Sequence, residues 1–169
     1  MDIELRKWSF NDAEELAKAI NNKNVIKWLR DGLPSPYSAS DAVDYIKSTM
    51  EADPNDLFAF AIVANGNVVG SISALRQGNI HRLSAEMGYF IAEPYWGKGY
   101  ATMAVKKLTD FIFSNTDIIR IFAMPFSDNE GSKRVLEKCG FNLEGLLAKN
   151  AVKDGVIKDI LLYALIKNS

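Results

Sequence analysis

The amino-acid sequence predicts an α/β (α+β) fold, in which helices pack against a central β-sheet. Three observations lead to this prediction. Apolar runs typical of strands alternate along the chain with segments whose apolar residues recur at helical spacing. Two dipeptides, Asn65-Gly66 and Asp154-Gly155, are strong signals for hairpins between antiparallel strands. The 169 residues contain no repeat or linker, so we expect a single domain over residues 1–169.

In the first third of the chain, one strand and three helical segments precede the main group of strands. Short polar side chains mark the helix starts, because they accept hydrogen bonds from the unpaired N–H groups there, and two prolines mark a loop. The predicted elements are, in order, a strand over residues 3–8, a helix capped by Asn11 or Asp12, a short helical segment over 25–29, a loop around Pro34 and Pro36, and a helix capped by Ser38 or Ser40.

Strands predominate from residue 57 onward. The predicted elements are, in order, strands over 57–63, 68–75 and 86–92, a long helix over 101–112, a strand over 120–124, a helix capped by Asp128 or Asn129 and ended by Gly140, and strands over 141–148 and 156–166. This order describes a mixed sheet with helices packed on it.

The composition argues against several classes of protein. The formal net charge is −1, which lacks the basic excess typical of nucleic-acid-binding proteins. No segment approaches the roughly 18 apolar residues that cross a bilayer, and the acidic N-terminus is unlike a signal peptide. One cysteine, Cys139, and one histidine, His81, allow no internal disulfide and provide few ligands for a metal site. We therefore expect a cytoplasmic protein that requires no metal and binds neither nucleic acid nor membrane.

The most informative segment is the Gly-rich turn Trp96-Gly97-Lys98-Gly99, which joins a predicted strand to the long helix beginning at Tyr100, Ala101 and Thr102. The first N–H groups of a helix have no intrahelical partner and carry partial positive charge, so the turn favours an anion. Two glycines let a ligand approach the backbone, and Lys98 adds a cation at the rim. Thr102 occupies the position where a dinucleotide-binding fingerprint requires glycine, and no Walker A sequence is present.

This turn resembles motif A of the GCN5-related N-acetyltransferases, where a Gln/Arg-x-x-Gly-x-Gly/Ala turn holds the coenzyme A pyrophosphate. Trp96 stands in the Gln/Arg position, which resembles the branch that acetylates ribosomal-protein N-termini. The segments 29–37 and 129–141 and the C-terminal hairpin agree with that branch, so the resemblance spans nearly the whole chain. It implies acetyl-CoA as acetyl donor and a mostly antiparallel sheet with a splayed strand pair at the cofactor site. The implied cofactor-binding residues are Phe90, Ile91, Gly97, Lys98, Gly99, Tyr100, Ala101, Thr102, Asn129 and Ser132.

The resemblance also implies two catalytic side chains. Glu86 would be the general base, usually acting through water, although a solvated charge at a strand end is the plainer interpretation. Phe90 and Ile91 would act through backbone N–H groups that stabilise the oxyanion. Asn129 either contacts the cofactor or only caps its helix, and Ser132 would hydrogen-bond or protonate the leaving thiolate. Many relatives have a tyrosine one turn after Ser132, but this chain has Leu136, which leaves Ser132 or water for that role.

Other candidate residues have structural interpretations. We expect His81 to be a solvated loop residue and Cys139 to be part of the core. The aromatic residues Trp28 and Tyr37 either line the acceptor site or pack as ordinary core residues.

The expected reaction is direct attack of a neutral primary amine on the acetyl thioester in a ternary complex. Deprotonating a lysine amine at pH 7 costs roughly 4.6 kcal/mol, and an α-amine only about 1 kcal/mol, so one candidate base suits an α-amine better. The expected acceptor is thus a protein N-terminus. A small amine such as a polyamine or antibiotic, and a non-catalytic acyl-CoA-binding module, remain the alternatives. The sequence leaves open whether the protein is a monomer or a homodimer.

Overall fold

The computed structural model describes residues 2–169, which contain five α-helices and seven strands. The strands are β1 (Glu4–Arg6), β2 (Leu57–Ala64), β3 (Asn67–Arg76), β4 (Ser84–Ile91), β5 (Arg120–Ala123), β6 (Asn142–Lys153) and β7 (Val156–Ile166). The helices are α1 (Ala13–Ile20), α2 (Lys23–Ile26), α3 (Ala39–Glu51), α4 (Tyr100–Asn115) and α5 (Glu130–Lys138). The predicted mixed α/β architecture is confirmed.

All seven strands form one sheet in the order β1-β2-β3-β4-β5-β7-β6. Every neighbouring pair is antiparallel except β4 and β5, which are parallel. The parallel pair is short: its register runs from Ser84 opposite Arg120 to Glu86 opposite Phe122. Strand β4 continues to Ile91 without a partner on that side, so the two strands part in the middle of the sheet.

Helices cover both faces of the sheet. On one face, α4 and α5 pack against strands β3, β4, β5 and β7 through a core that includes Leu108, Ile121 and Leu136. On the other face, α1 and α3 pack against β2 and β3 through Leu16 and Ile46. The gap between β4 and β5 therefore lies between two helical layers.

Two predicted details were wrong, and a third was right in position only. Asp12 stands at the N-cap position of α1, as expected, but its side chain makes no capping hydrogen bond to that helix. It instead accepts hydrogen bonds from Arg6 and from the N–H of Ser9, which caps the 3₁₀ turn before α1. The first strand ends at Arg6, and Trp8 packs in the core beyond it. Strand β6 extends to Lys153, past the expected end at residue 148, because it pairs with β7 through two register shifts. The described helices include none that is both long and apolar enough to cross a bilayer.

Candidate active site

A cleft of about 1210 Å³ opens where β4 and β5 part. Its lining comes from β4, the turn before α4, the first turn of α5, the segment over residues 27–33 and residues 150–152 of β6. Nearly all the cofactor and catalytic residues expected from the sequence line this one cleft. These are Glu86, Phe90, Ile91, Gly97, Gly99, Tyr100, Ala101, Thr102, Asn129 and Ser132.

The Gly-rich turn has the geometry of an anion site. Gly97 and Gly99 have φ angles of 74° and 78°, in the left-handed region that favours glycine. The first backbone bond of α4 runs from Met103 N–H to Gly99 O at 3.1 Å, so the N–H groups of Tyr100, Ala101 and Thr102 precede the helical ladder. Apart from each glycine and its chain neighbours, no atom of the described residues lies within 4 Å of the position that a Cβ would occupy at Gly97 or Gly99. Open space, unpaired donors and the helix dipole suit a pyrophosphate.

Lys98 lies outside the cleft lining. Its ammonium sits over the ring of Tyr95, 5.4 Å from the centroid. The turn is instead fixed to β4 by Trp96, whose indole N–H donates to the carbonyl of Ile91 at 2.6 Å. The anion-binding capacity of the turn therefore rests on backbone groups more than on the lysine.

The register of β4 decides which backbone groups face the gap. Ala92 N–H donates to Val69 O at 2.8 Å, on the β3 side. Hydrogen-bonded and non-hydrogen-bonded pairs alternate in antiparallel sheets, so Phe90 also faces β3, opposite Ser71. The backbone N–H of Ile91 points the other way, into the gap. Of the two residues expected to offer a backbone donor, Ile91 has the orientation for it.

Glu86 lies at the last paired position of β4, where the gap begins. Its side chain is about one-quarter exposed and forms an ion pair with the guanidinium of Arg30, from the segment that follows α2. The plain solvated carboxylate considered from the sequence is therefore not what the structure has. Arg30 belongs to the segment 29–37 that agrees with the family branch, but it lies 56 positions from Glu86, and no sequence pattern predicted that the two would pair.

Asn129 and Ser132 begin α5 on the opposite wall. The Asn129 Oδ1 accepts a hydrogen bond from the Ser132 N–H at 3.1 Å, so Asn129 does cap this helix. The Ser132 hydroxyl lies 2.9 Å from the hydroxyl of Tyr89 on β4. Leu136, at the position where many relatives have tyrosine, is fully buried in the core. Tyr89 was not expected, although its alternation with Met87 and Ile91 along β4 places it on the α5 face.

The end of the cleft beside the segment over residues 27–33 is partly aromatic. Trp28 and Tyr37 both contribute to its lining, and Tyr37 is also buried. Burial, with nearby Asp41, raises the pKa of Tyr37 to about 12, so its hydroxyl stays protonated. Tyr37 therefore packs as a core residue and also borders the cleft, whereas Trp28 is half-buried at the cleft wall, and their part in an acceptor site stays a prediction. His81 is exposed in a short 3₁₀ turn outside this cleft, and Cys139 packs against the core.

Residues 2–142 match the acetyltransferase (GNAT) domain family. The chain belongs to this family. It is therefore an acetyl-CoA-dependent N-acetyltransferase, with acetyl-CoA as the acetyl donor. The cleft fits that donor, because its Gly-rich turn offers unpaired N–H groups for a pyrophosphate. The gap between β4 and β5 lies beside the end of β4 that leads into this turn.

Individual relatives differ in their acceptors. The chain is 32% identical over 170 residues to the putative ribosomal N-acetyltransferase YdaF of Bacillus subtilis, covering 98% of this chain and 91% of that protein. It is 24% identical to the spermidine N(1)-acetyltransferase of Vibrio cholerae, over 94% of this chain and 89% of the other. It also resembles the crystal structure of the microcin C7 self-immunity acetyltransferase MccE in complex with acetyl-CoA and AMP, at 28% identity and a TM-score of 0.86, covering 98% and 92% of the two chains.

Proposed function

We propose that this N-acetyltransferase transfers acetyl to the free α-amine of a protein or peptide in the cytoplasm. The observation that carries the proposal is the charge state of the cleft. Four carboxylates line it, and each is paired with a cation of the same chain: Asp31 with Lys153 at 3.0 Å, Asp128 with Lys158 at 2.6 Å, Glu130 with Lys133 at 2.9 Å, and Glu86 with Arg30.

This pairing disfavours a polycationic acceptor. A polyamine carries several ammonium groups, and a site for it gains affinity from carboxylates that are available to pair with them. Here such an acceptor would have to displace lysines and an arginine that already neutralise the carboxylates. An α-amine brings one charge at most, and its pKa near 7.8 leaves it partly neutral at pH 7.

The size and position of the cleft also suit a peptide. It runs from the Gly-rich turn to the segment over residues 27–33 and the edge strand β6, where Trp28 and Val152 border it. Val152 is about 60% exposed, so this end is open to a long acceptor. The similarity to a putative ribosomal N-acetyltransferase supports the same choice.

In the proposed reaction, acetyl-CoA supplies an activated thioester, and the protein supplies position and hydrogen bonds. The N–H groups of Tyr100, Ala101 and Thr102 would hold the pyrophosphate. The Ile91 N–H would donate to the thioester oxygen, where negative charge develops. Glu86 would remove a proton from the attacking amine, directly or through one water. Ser132 would donate a hydrogen bond to the departing sulfur.

The experiment compares two forms of one peptide, each with an internal lysine, one free and one blocked at the N-terminus. Incubation with the enzyme and acetyl-CoA should acetylate only the free α-amine, as read by mass spectrometry. Labelling of both peptides at lysine would move the acceptor to the lysine side chain.

Spermidine provides the second arm of this experiment, because one relative is a spermidine N(1)-acetyltransferase. Turnover of spermidine without labelling of either peptide would overturn the proposed acceptor. An absence of thiol release with all of these amines would favour the non-catalytic alternative over any acceptor.

A further inference from the structure

The hydroxyl groups of Tyr89 and Ser132 meet across the cleft, although they come from different elements. Tyr89 lies on β4 beyond the end of its pairing with β5, and Ser132 lies in the first turn of α5. Their oxygen atoms are 2.9 Å apart, and the Tyr89 oxygen also lies 3.3 Å from the Ser132 carbonyl oxygen. Both residues line the cleft.

The surroundings of this pair constrain what Tyr89 can do. Its ring packs against the core formed by α4, α5 and the sheet, which fixes the position of the phenol. Burial raises the pKa of Tyr89 above its usual value, so the phenol keeps its proton at any physiological pH. Tyr89 therefore has a hydrogen to offer in a hydrogen bond and is a poor source of a transferable proton.

We propose that Tyr89 is a positioning residue that orients the Ser132 hydroxyl toward the departing sulfur. The inference rests on the proposed function, in which Ser132 contacts that sulfur. The phenol hydrogen has two acceptors within reach, and Ser132 Oγ at 2.9 Å is nearer than the Ser132 carbonyl oxygen at 3.3 Å. When the phenol O–H donates to Ser132 Oγ, one lone pair of the serine oxygen is occupied and the serine hydrogen is directed away from it. The serine hydrogen then remains available to the cleft.

The step balances without a full proton transfer from either hydroxyl. The carbon–sulfur bond breaks, and its electron pair goes to sulfur, giving a thiolate. A thiol has a pKa near 8.5, far below that of a serine hydroxyl, so Ser132 stabilises the thiolate by hydrogen bonding and keeps its proton. The proton that neutralises the thiolate is the one that Glu86 takes from the attacking amine, and it reaches the sulfur through solvent. Tyr89 strengthens the serine hydrogen bond because hydrogen bonds in a chain polarise one another.

The Tyr89–Ser132 pair places hydroxyl groups at this site although residue 136 is a leucine. In many relatives a tyrosine on the α5 helix would supply a hydroxyl at this place, whereas Leu136 here is buried among apolar residues. The phenol enters from strand β4 and reaches the helix at Ser132, one turn earlier. The phenol of Tyr89 on the strand and the hydroxyl of Ser132 on the helix together provide the hydrogen-bond donor.

A double-mutant cycle tests this arrangement. Tyr89→Phe removes only the phenol oxygen, Ser132→Ala removes the serine hydroxyl, and the double variant removes both. We expect Tyr89→Phe to lower kcat by about five- to tenfold, the usual effect of losing one hydrogen bond between neutral groups, with the KM for acetyl-CoA changed less than about twofold. In the Ser132→Ala background the same substitution should change kcat by less than about twofold.

Tyr163→Phe is the matched control. Tyr163 is also buried, and its hydroxyl donates to Glu137 Oε1 on the same helix at 3.0 Å, but it does not line the cleft. The kcat of the Tyr163→Phe variant should stay within about twofold of the wild-type value. Thermal melting of every variant separates a folding defect from a kinetic one.

The outcomes distinguish this inference from the proposed function. If Ser132→Ala is slow and Tyr89→Phe is not, the role of Tyr89 is refuted and that of Ser132 stands. If the two single effects multiply in the double variant, Tyr89 acts independently of Ser132 and the positioning role is wrong. Full activity of Ser132→Ala would remove the serine from the mechanism and the inference with it.

Discussion

The Arg30 guanidinium and the Glu86 carboxylate form an ion pair at the point where β4 and β5 part. The Arg30 side chain is about 79% exposed, so this pair adds little to the stability of the fold. Its consequence is local, since the carboxylate proposed to accept a proton from the amine is already occupied by a cation. An incoming amine must compete with Arg30 for Glu86.

Arg30→Gln should therefore improve binding of the acceptor. An exposed ion pair contributes up to about 1 kcal/mol, so we expect the acceptor KM to fall by about two- to fivefold, with an unchanged dissociation constant for acetyl-CoA. Raising the salt concentration should also lower the acceptor KM of the wild-type enzyme, because dissolved ions screen an exposed ion pair. Steady-state kinetics with a free α-amine peptide measure both effects. A higher KM in Arg30→Gln would instead place Arg30 in contact with the acceptor.

Glu86→Gln should lower kcat/KM for the amine by roughly 10²-fold or more at pH 7, the usual contribution of a general base. The amide keeps the shape of the side chain but cannot accept a proton. The defect should shrink as the pH rises toward 9, because more of the amine is then neutral without assistance. A pH–rate profile of both enzymes measures this.

The control for that profile is Glu144→Gln. Glu144 also forms an ion pair with an arginine, Arg120, but it lies on the edge strand β6, outside the cleft. Its kcat/KM should match the wild-type value at every pH. A defect of Glu86→Gln that stays constant with pH would assign the carboxylate a role other than base.

The strand, Gly-rich turn and helix could be predicted because their causes are local. The glycines of the turn, the apolar run before them and the helical periodicity after them are each visible in the sequence within about twenty residues. The hairpins at Asn65-Gly66 and Asp154-Gly155 were predicted for the same reason, and their asparagine and aspartate do adopt positive φ.

The missed contacts join residues that are far apart in the chain. Glu86 and Arg30 are separated by 56 positions, and Tyr89 and Ser132 by 43. Only the packing of the helices on the sheet brings these pairs together, and residue spacing carries no signal for it. The missed cap at Ser9 is different, because its contacts are local: Asp12 forms a capping box with Ser9 and also pairs with Arg6, six positions earlier in the chain.

Asp12 should contribute to stability in a pH-dependent way. Its buried carboxylate accepts two hydrogen bonds from Arg6, at 2.7 and 2.8 Å, and one from the Ser9 N–H at 2.8 Å. These contacts hold the pKa of Asp12 below its usual value. A lowered folded-state pKa means that the contribution is complete above about pH 4 and is lost as the pH falls through the folded value.

Asp12→Asn should therefore lower the free energy of unfolding at pH 7 by about 2–3 kcal/mol, or roughly 5–10 °C in melting temperature. The difference from wild type should shrink below pH 4. Asp41→Asn is the control, because Asp41 forms the same kind of capping box with Ser38 but is only half-buried and has no arginine partner among the described residues. Asp41→Asn should lower the free energy of unfolding by about 1 kcal/mol or less. Equal losses in the two variants would show that the cap, and not Arg6, accounts for the effect.

Gly99 has a φ angle of 78° and comes directly before the unpaired N–H groups of α4. Gly99→Ala places a methyl group beside the backbone that would hold the pyrophosphate and also strains that backbone by about 1–2 kcal/mol. Gly66→Ala introduces the same strain at a φ angle of 79° in the β2–β3 hairpin, and neither position has a neighbour within 4 Å of the new Cβ. Both variants should therefore melt at similarly lowered temperatures. Titration calorimetry with coenzyme A should show at least about tenfold weaker binding for Gly99→Ala and unchanged binding for Gly66→Ala, and equal affinities in the two variants would mean that the phosphates bind elsewhere.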